Sequence, residues 1–240
     1  MSSVVSKSTI MRLVADIKEI IKTPLESQGI YYKHDESNML NGYAMIIGPD
    51  DTPYQKGFYF FKFIFPENYP LSPPKVEYLT NDGHTRFNPN FYRNGKVCLS
   101  VLNTWRGDSW TGCQTISSTL LHLCTTLNNT PLCNEPGISI NHKDYNSYNS
   151  IIVYKNYEIA ILAIIQKKTG IYPKIADRFS DVIKNIIKIN LPIIIRDLET
   201  ILSKNSESER ILTSLYNMKV DIDYSDLLSK FQEESKKLAN

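Results

Sequence analysis

The sequence Lys56-Gly57-Phe58-Tyr59-Phe60-Phe61-Lys62-Phe63-Ile64-Phe65 has the two-residue repeat of a β-strand. Every second residue from Tyr59 to Phe65 is aromatic, whereas Lys62 lies on the opposite face. Successive side chains of a strand point to opposite faces, so this pattern gives the strand one wholly aromatic face. We therefore predict a strand over 56–65 whose aromatic face packs into the interior.

Three neighbouring segments have strand composition and end at Gly, Pro, Asn or Asp residues. They lie at 29–34, 39–47 and 75–79. Short consecutive strands that are separated by turn residues favour an antiparallel meander packed against helices. The sequence therefore predicts an α+β fold with a four-stranded antiparallel sheet.

Helical spacing of apolar residues predicts a first helix that contains Ile10, Leu13, Val14, Ile17, Ile20 and Ile21. We expect Ser8 or Thr9 to cap it and Thr23-Pro24 to end it. A second helix is predicted between Ile116 and Leu127, with Cys124 on its apolar face, and a third between Ile151 and Ile165.

Two or three further helices are predicted from Pro173 to the end of the chain. Pro192 should break or kink the apolar pattern there, because proline lacks the backbone N–H that a helix interior uses. The polar run from Ser203 to Arg210 is typical of a linker.

Composition argues against several classes of function. A formal net charge of +2 over 240 residues gives no strong electrostatic field that would attract nucleic acid, so we expect no nucleic-acid partner. Cysteines at 98, 113, 124 and 133 include no Cys-x-x-Cys pair, and the four histidines form no ligand-spaced cluster with them. We expect no disulfide framework, no metal and no cofactor.

The amino terminus lacks a signal-peptide core and the apolar stretches are too short for a bilayer. We therefore expect a soluble protein of the cytoplasm or nucleus without a membrane partner.

The segment Asn88–Leu99 is the candidate site, because it places a carboxamide and a thiol close together in the chain. A thiol can take an acyl group as a thioester, and a held amide can donate to the oxyanion. Pro89 favours extended geometry at its neighbours, and Asn94-Gly95 is a turn signal, so Asn90 is expected near Cys98. Alone, Cys98 would most simply be a buried apolar residue and Asn90 a turn residue.

The same segment resembles the active site of ubiquitin-conjugating enzymes, where His-Pro-Asn precedes the catalytic cysteine. Gly48–Tyr54 with Gly57 resembles the family's loop between its second and third strands, and Phe65–Val76 resembles its proline-rich segment. Arg86-Phe87 and Asn134–Gly137 extend the likeness to the Z-type enzymes and to the conjugating domain of the giant inhibitor-of-apoptosis protein BRUCE.

The resemblance implies a conjugating domain over about residues 1–168 and a helical extension over 169–240. It implies that Cys98 accepts ubiquitin, or a ubiquitin-like modifier, from an activating enzyme and passes it to a substrate lysine, usually with a ligase. Asn90 would stabilise the oxyanion, and Asn88 and Pro89 would support the site. Asn88 stands where the family usually has histidine.

Partner-binding residues follow from the same resemblance. Arg12 and Lys18 on the first helix would contact the activating enzyme, and Leu71 would contact the ligase. Trp110 is followed by Thr111-Gly112-Cys113 rather than the family's Ser-Pro-Ala, which lowers the expected affinity for ordinary RING ligases.

Two other functions stay open from the sequence. One is a binding module with a conjugating fold and no chemistry. The other is a cysteine hydrolase, which needs a base such as histidine next to the thiol; His84 is the upstream candidate.

Overall fold

The computed structural model describes residues 5–204 and 208–239, and its central feature is the predicted sheet. Four antiparallel strands lie side by side in chain order. They are β1 (Ile30–His34), β2 (Asn41–Ile47), β3 (Phe58–Ile64) and β4 (Lys75–Tyr78). Each strand falls inside its predicted range, so the α+β fold and the meander are confirmed.

Strand β3 is buried on both faces. Tyr59, Phe61 and Phe63 are inaccessible to solvent, as the alternation predicts. Phe60 points the other way and is also buried, with its ring centroid 6.2 Å from that of Phe179. The carboxy-terminal part of the chain therefore covers the second face of the sheet.

Helix α1 spans Lys7–Lys22 and ends at Thr23, where the sequence predicts it to stop. Its cap is Ser6, whose hydroxyl accepts a hydrogen bond of 3.1 Å from the Thr9 backbone N–H. The predicted cap at Ser8 or Thr9 is therefore wrong. The Thr9 hydroxyl instead donates to the Glu67 carbonyl at 2.7 Å, a tertiary contact that draws Thr9 into the helix.

The second and third helices lie where they are predicted. Helix α2 (Ile116–Thr126) starts with a capping box between Thr115 and Ser118. Helix α3 (Tyr145–Lys155) continues as a π-helical segment (Asn156–Leu162) and ends as a short helix α4 (Ala163–Ile165). Asn156 is buried in the π-helical segment, where it accepts from the Tyr59 hydroxyl and donates to the Gln55 carbonyl.

The carboxy-terminal region contains more than the predicted helices. A 3-10 helix (Lys174–Phe179) leads into α5 (Ser180–Lys204), and α6 (Tyr224–Ala239) ends the region. Between them lies an antiparallel hairpin of β5 (Glu209–Thr213) and β6 (Met218–Ile222), which the sequence reading missed. The predicted linker at 203–210 is wrong at both ends, because these belong to α5 and β5; residues 205–207 lie outside the described residues.

Helix α5 does not end at Pro192, so the predicted break is wrong. Pro192 is exposed, and the carbonyl it leaves without an N–H partner lies on the solvent side of the helix. The opposite side is apolar and buried at Leu191, Ile194 and Leu198. Packing of that side outweighs the loss of one backbone hydrogen bond.

The carboxy-terminal region packs against the rest of the chain. Ile183, Ile187, Ile194 and Leu198 are buried, as expected. The hairpin lies against α3, and α6 lies against α5 and the π-helical segment. Arg178 adds a polar contact, since its guanidinium lies 3.6 Å from the Asp35 carboxylate and over the ring of Tyr43.

Membrane-spanning helices and metal-binding clusters are both absent from the described residues. No helix within residues 5–204 and 208–239 is long and apolar enough to cross a membrane. Across the same residues, no group of three or more His, Cys, Asp or Glu side chains is placed to hold a metal ion.

Candidate active site

The segment that contains Cys98 folds back on itself at Asn94-Gly95, as the sequence predicts. Gly95 has φ +84°, a left-handed conformation that glycine adopts without strain, and its N–H donates to the Tyr92 carbonyl at 2.9 Å. The Tyr92 N–H donates to the Lys96 carbonyl across the turn at 2.9 Å. This turn brings the two ends of the segment side by side.

Asn90 and Cys98 are joined by two hydrogen bonds. The Cys98 N–H donates to the Asn90 carbonyl at 2.9 Å, and Asn90 Nδ2 donates to the Cys98 carbonyl at 2.7 Å. An amide nitrogen carries two hydrogens, so the second bond leaves one N–H beside the cysteine. Cys98 itself is buried and only 2 % exposed.

Asn88 is the centre of the hydrogen-bond network beneath these two residues, and it is inaccessible to solvent. Its Nδ2 donates to the Tyr54 hydroxyl at 2.9 Å and to the Thr126 carbonyl at 2.8 Å. Its Oδ1 accepts from the Asn90 N–H at 2.9 Å and from Asn134 Nδ2 at 3.3 Å. Asn88 thus links the segment to α2 and to the loop after it.

The loop from Gly48 to Gly57 delivers Tyr54 to this network. A side chain at Gly48 would lie 1.7 Å from the Tyr54 carbonyl, so glycine is required for the loop to close. Tyr54 is fully buried, and its hydroxyl donates to the Phe87 carbonyl at 2.7 Å while accepting from Asn88. Burial raises the pKa of Tyr54, which keeps this hydroxyl protonated as a donor.

Downstream of Cys98, Thr104 holds both of the cysteine's neighbours. Its hydroxyl accepts from the Leu99 N–H at 2.9 Å and donates to the Val97 carbonyl at 3.0 Å. Asn103 Oδ1 accepts from the Trp110 N–H at 2.8 Å, which closes the loop between them. An open groove of about 520 Å³ runs along this loop. The groove is lined by Asn103, Thr104, Trp105, Arg106 and Pro136.

The other cysteines and histidines lie elsewhere. Cys113 is exposed, Cys124 and Cys133 are half-buried, and Cys124 packs against the core as predicted. His84 is exposed on a turn that Asp82 holds, and no hydrogen bond joins it to Cys98 within the described part of the chain. The base that a cysteine hydrolase requires is therefore not paired with the thiol in this structure.

Arg12 and Lys18, the two residues expected to contact the activating enzyme, have different surroundings. Lys18 is exposed. Arg12 is bonded inside the protein: its Nε contacts Asp16 at 2.7 Å, and its two Nη atoms donate to the Gly112 and Gln114 carbonyls. Arg12 therefore ties α1 to the loop before α2, and its guanidinium is already occupied.

Leu71 protrudes from the proline-rich segment with 82 % of its side chain exposed. Trp110 Nε1 donates to the carbonyl of the neighbouring Pro70 at 2.7 Å, and the Gly112 backbone lies against the same residue. Leu71 and the loop after Trp110 thus form one continuous surface.

Arg86 and Asn134 lie in segments that the sequence resemblance included, but the bonds they make in the site were not predicted. Arg86 Nη2 donates to the Pro89 carbonyl at 2.7 Å, and Asn134 Nδ2 donates to the Thr126 carbonyl at 2.9 Å. Nothing in the sequence pointed to Tyr216, which reaches the site from the β5–β6 hairpin.

Comparison with known proteins agrees with this geometry. The family described as ubiquitin-conjugating enzyme matches residues 12–155. Ubiquitin-conjugating enzyme E2 Z of Danio rerio is 40 % identical over 168 residues, which is 69 % of this chain and 51 % of the relative. The Homo sapiens E2 Z is 40 % identical over 162 residues, or 66 % of this chain and 45 % of the relative.

The chain therefore spans about half the length of these E2 Z relatives. A much larger protein also matches: the dual E2 ubiquitin-conjugating enzyme/E3 ubiquitin-protein ligase BIRC6 of Homo sapiens is 40 % identical over 117 residues. These are 46 % of this chain and 2 % of that protein. The expected likeness to the Z-type enzymes is confirmed. The chain belongs to the ubiquitin-conjugating enzyme family.

Proposed function

We propose that the chain carries ubiquitin, or a related modifier, as a thioester on Cys98 and transfers it to a lysine of a substrate protein. The observation that carries this proposal is the pair of hydrogen bonds that fixes the Asn90 amide beside Cys98. Membership of the family supports it. A cysteine with no catalytic duty would not require a buried amide held at its side.

In the loading step, the Cys98 thiolate attacks the modifier's carboxy-terminal carbonyl while that carbonyl is a thioester on the activating enzyme. A new sulfur–carbon bond forms, and the activating enzyme's cysteine leaves with the electron pair of the broken bond. ATP is consumed earlier, by the activating enzyme, so this chain needs no nucleotide or metal for the exchange.

In the discharge step, a neutral lysine amine attacks the same carbonyl on Cys98 and forms an oxyanion. The remaining Asn90 N–H donates to that oxyanion, which lowers the barrier. Collapse of the intermediate breaks the bond to sulfur, returns Cys98 as a thiolate and leaves an isopeptide bond. The amine's proton passes to solvent through the open groove beside Thr104.

The experiment is a loading assay with an activating enzyme, ATP and modifier, followed by gel electrophoresis without reductant. We expect an adduct of protein and modifier that disappears when a thiol reductant is added. Cys98→Ala should abolish the adduct, whereas Cys113→Ala, the exposed matched control, should leave it unchanged. Cys124→Ala and Cys133→Ala should also load.

The two other functions give different results in the same assay. Absence of an adduct with a panel of activating enzymes would favour the binding module. Cleavage of a modifier conjugate, dependent on Cys98, would favour the hydrolase. An adduct that survives Cys98→Ala would place the acceptor at another residue and overturn the proposal.

The contact with the activating enzyme is proposed to use exposed lysines of α1. Lys18 and Lys22 are exposed, and neither forms a salt bridge within residues 5–204 and 208–239, whereas Arg12 is paired with Asp16. Lys18→Glu with Lys22→Glu should slow loading severalfold, more at low salt than at high salt, because charge steers association. Discharge of enzyme that is already loaded should not change. If the loading rate is unchanged in this double variant, these lysines do not contribute to the contact with the activating enzyme.

We also propose that residues 1–168 form the conjugating domain and 169–240 its extension. Truncation after Lys168 would uncover Phe60 and the apolar faces that α5 and α6 cover. We expect the melting temperature to fall before loading of Cys98 is lost.

A further inference from the structure

The tip of the β5–β6 hairpin has an unusual backbone. Tyr216 has φ +62° and Asn217 has φ +47°, which places two consecutive non-glycine residues in the left-handed region. Non-glycine residues are rarely found in this region and persist there where the surrounding contacts hold them. The contacts of Tyr216 therefore indicate what the tip does.

Each part of Tyr216 contacts a residue of the active site. Its carbonyl accepts from Arg93 Nη2, on the turn of the Cys98 segment. Its ring centroid lies 5.1 Å from Arg86 Cζ. Its hydroxyl donates to Glu135 at 2.5 Å.

Arg86 connects the ring of Tyr216 to the catalytic segment. Its guanidinium lies 3.3 Å from the centre of the Tyr92 ring, so the rings of Tyr92 and Tyr216 both face this cation. Its Nε donates to the Asn88 carbonyl at 3.2 Å, and its Nη2 donates to the Pro89 carbonyl at 2.7 Å. Arg86 therefore holds the backbone of Asn88 and Pro89, the two residues that precede Asn90.

The position of Arg86 depends on its contacts with the β5–β6 hairpin. Arg86 is buried, and no carboxylate pairs with it in residues 5–204 and 208–239. A buried cation without a counter-ion is held by carbonyls and aromatic faces, and Tyr216 supplies one of the two faces. The Arg86 backbone is also tied to the hairpin, because its N–H donates to Met218 Sδ at 3.4 Å.

The hydroxyl of Tyr216 holds the opposite wall of the site. Glu135 directly precedes Pro136, which lines the groove with Thr104, the residue that brackets Cys98. Burial and the bond to Glu135 raise the pKa of Tyr216, so its hydroxyl stays a donor through the neutral range.

We propose that Tyr216 is a positioning residue for the catalytic segment, through which the carboxy-terminal extension sets the rate of transfer from Cys98. The ring of Tyr216 holds Arg86 in place, and Arg86 in turn holds the segment Asn88–Asn90. The carbonyl of Tyr216 positions Arg93, and its hydroxyl positions Glu135. This inference rests on the proposed function for its kinetic part. The bracing itself is a property of the unloaded protein.

The test compares Tyr216→Asn with wild type in the full chain, because asparagine tolerates the left-handed backbone and keeps the carbonyl. A misplaced reacting group costs up to about 10²-fold, and we expect roughly tenfold slower single-turnover discharge to free lysine. The maximal rate should fall while the lysine concentration at half-maximal rate stays the same. Tyr216→Phe keeps the ring and should stay within about threefold of wild type, since it loses only the hydrogen bond to Glu135.

Hydrogen exchange gives a second readout that needs no modifier. The amides of Phe91, Tyr92 and Cys98 bond across the segment, and Tyr216→Asn should speed their exchange about tenfold. The matched control is Leu212→Asn, an exposed residue of the same hairpin, which should change neither readout.

Wild-type discharge together with wild-type exchange in Tyr216→Asn would overturn the inference. If wild-type protein itself does not load, the proposed function fails, and exchange alone still decides whether Tyr216 braces the segment. If Tyr216→Asn melts earlier than wild type, Tyr216→Leu keeps the apolar bulk and is judged by the same two readouts. A purely structural residue would lower melting in these variants without the local change in exchange.

Discussion

The two stretches that flank Cys98 are held in different ways. Upstream, residues 86–91 are all buried, and side chains from other parts of the chain bond them, Tyr54 and Asn134 among them. Downstream, residues 103–109 are largely exposed and are fixed by the side chains of Asn103 and Thr104. The thiol lies where the rigid stretch meets the open one.

This difference separates chemistry from recognition. A donor that is fixed before the reaction needs no reorganisation when the oxyanion forms, and the upstream network gives Asn90 that property. An exposed loop on a rigid scaffold is suited to meet partners. Changes upstream should therefore alter rates and stability, and changes downstream should alter partner effects with smaller costs.

The largest effect is expected at Asn90. Asn90→Ala removes the proposed oxyanion donor, so discharge of loaded enzyme to free lysine should slow by about 10²- to 10³-fold. Loading on a non-reducing gel should remain detectable. Asn129→Ala, an exposed asparagine in the loop after α2, is the matched control and should discharge normally. Discharge of Asn90→Ala at the wild-type rate would exclude Asn90 from the mechanism.

Asn88 should contribute most to the stability of the upstream stretch. Asn88→Ala leaves the Asn90 N–H buried without a partner, at a cost of about 1–3 kcal/mol, and also removes the bonds to the Tyr54 hydroxyl and the Thr126 carbonyl. We expect the free energy of unfolding, measured by urea denaturation, to fall by about 3 kcal/mol. Asn88→His restores the residue usual in the family and should recover part of that loss. An alanine variant as stable as wild type would show that water replaces these bonds.

Local patterns predicted the sheet and the turn of the site, because their signals lie within a few residues of each other. The alternation from Tyr59 to Phe65 placed β3, and Asn94-Gly95 placed the turn that brings Asn90 to Cys98. The burial of Phe60 was not predictable in this way. It depends on Phe179, more than a hundred positions away in the chain.

The carboxy-terminal hairpin shows why the rest was missed. Met218, Val220 and Ile222 alternate with exposed residues, but the run is too short to outweigh a helical reading of its surroundings. Contacts such as those of Tyr216 and of Arg12 join residues distant in sequence, and no local pattern encodes them. The family resemblance, and not composition, led to the roles proposed for Cys98 and Asn90.

The turn at Asp82, which precedes the upstream stretch, should lose stability in acid. Burial by itself would raise the pKa of Asp82, but bonds from the Thr85 and His84 N–H groups, the Thr85 hydroxyl and the charge of Lys155 lower it overall. A carboxylate with a lowered pKa in the folded state contributes stability above its unfolded pKa of 3.8, and this is lost as the pH falls through the folded value.

We therefore expect Asp82→Asn to lower the free energy of unfolding by about 1.5 kcal/mol at neutral pH. The difference from wild type should shrink as the pH falls below about 4, because Asp82 of the wild type then takes up a proton as the pH passes through its folded-state pKa. Asp108→Asn, an exposed aspartate of the downstream loop, is the control. A difference from wild type that stays constant down to pH 2 would contradict this assignment.

The Thr104 hydroxyl bonds the downstream loop to both neighbours of Cys98. Thr104→Val keeps the shape but removes the bonds to Leu99 and Val97, which should lower the free energy of unfolding by about 1 kcal/mol. Discharge should slow by a few-fold, much less than in Asn90→Ala. Thr104→Ser retains the hydroxyl and should behave like wild type. A valine variant as slow as Asn90→Ala would mean that both flanks fix the chemistry equally.

The smallest intrinsic effect is expected at Leu71. With 82 % of its side chain exposed, Leu71→Ala should change the free energy of unfolding by less than about 0.5 kcal/mol and leave loading of Cys98 intact. An exposed apolar residue at the centre of an interface can still contribute about 1–2 kcal/mol to binding, so ligase-stimulated discharge should fall severalfold. Leu212→Ala, an exposed leucine on the distant hairpin, controls for loss of surface apolar area. The assay compares discharge with and without ligase at equal loading. If Leu71→Ala lowers the rate equally in both conditions, the open side of Cys98 also takes part in the chemistry, and the contrast between the two flanks fails.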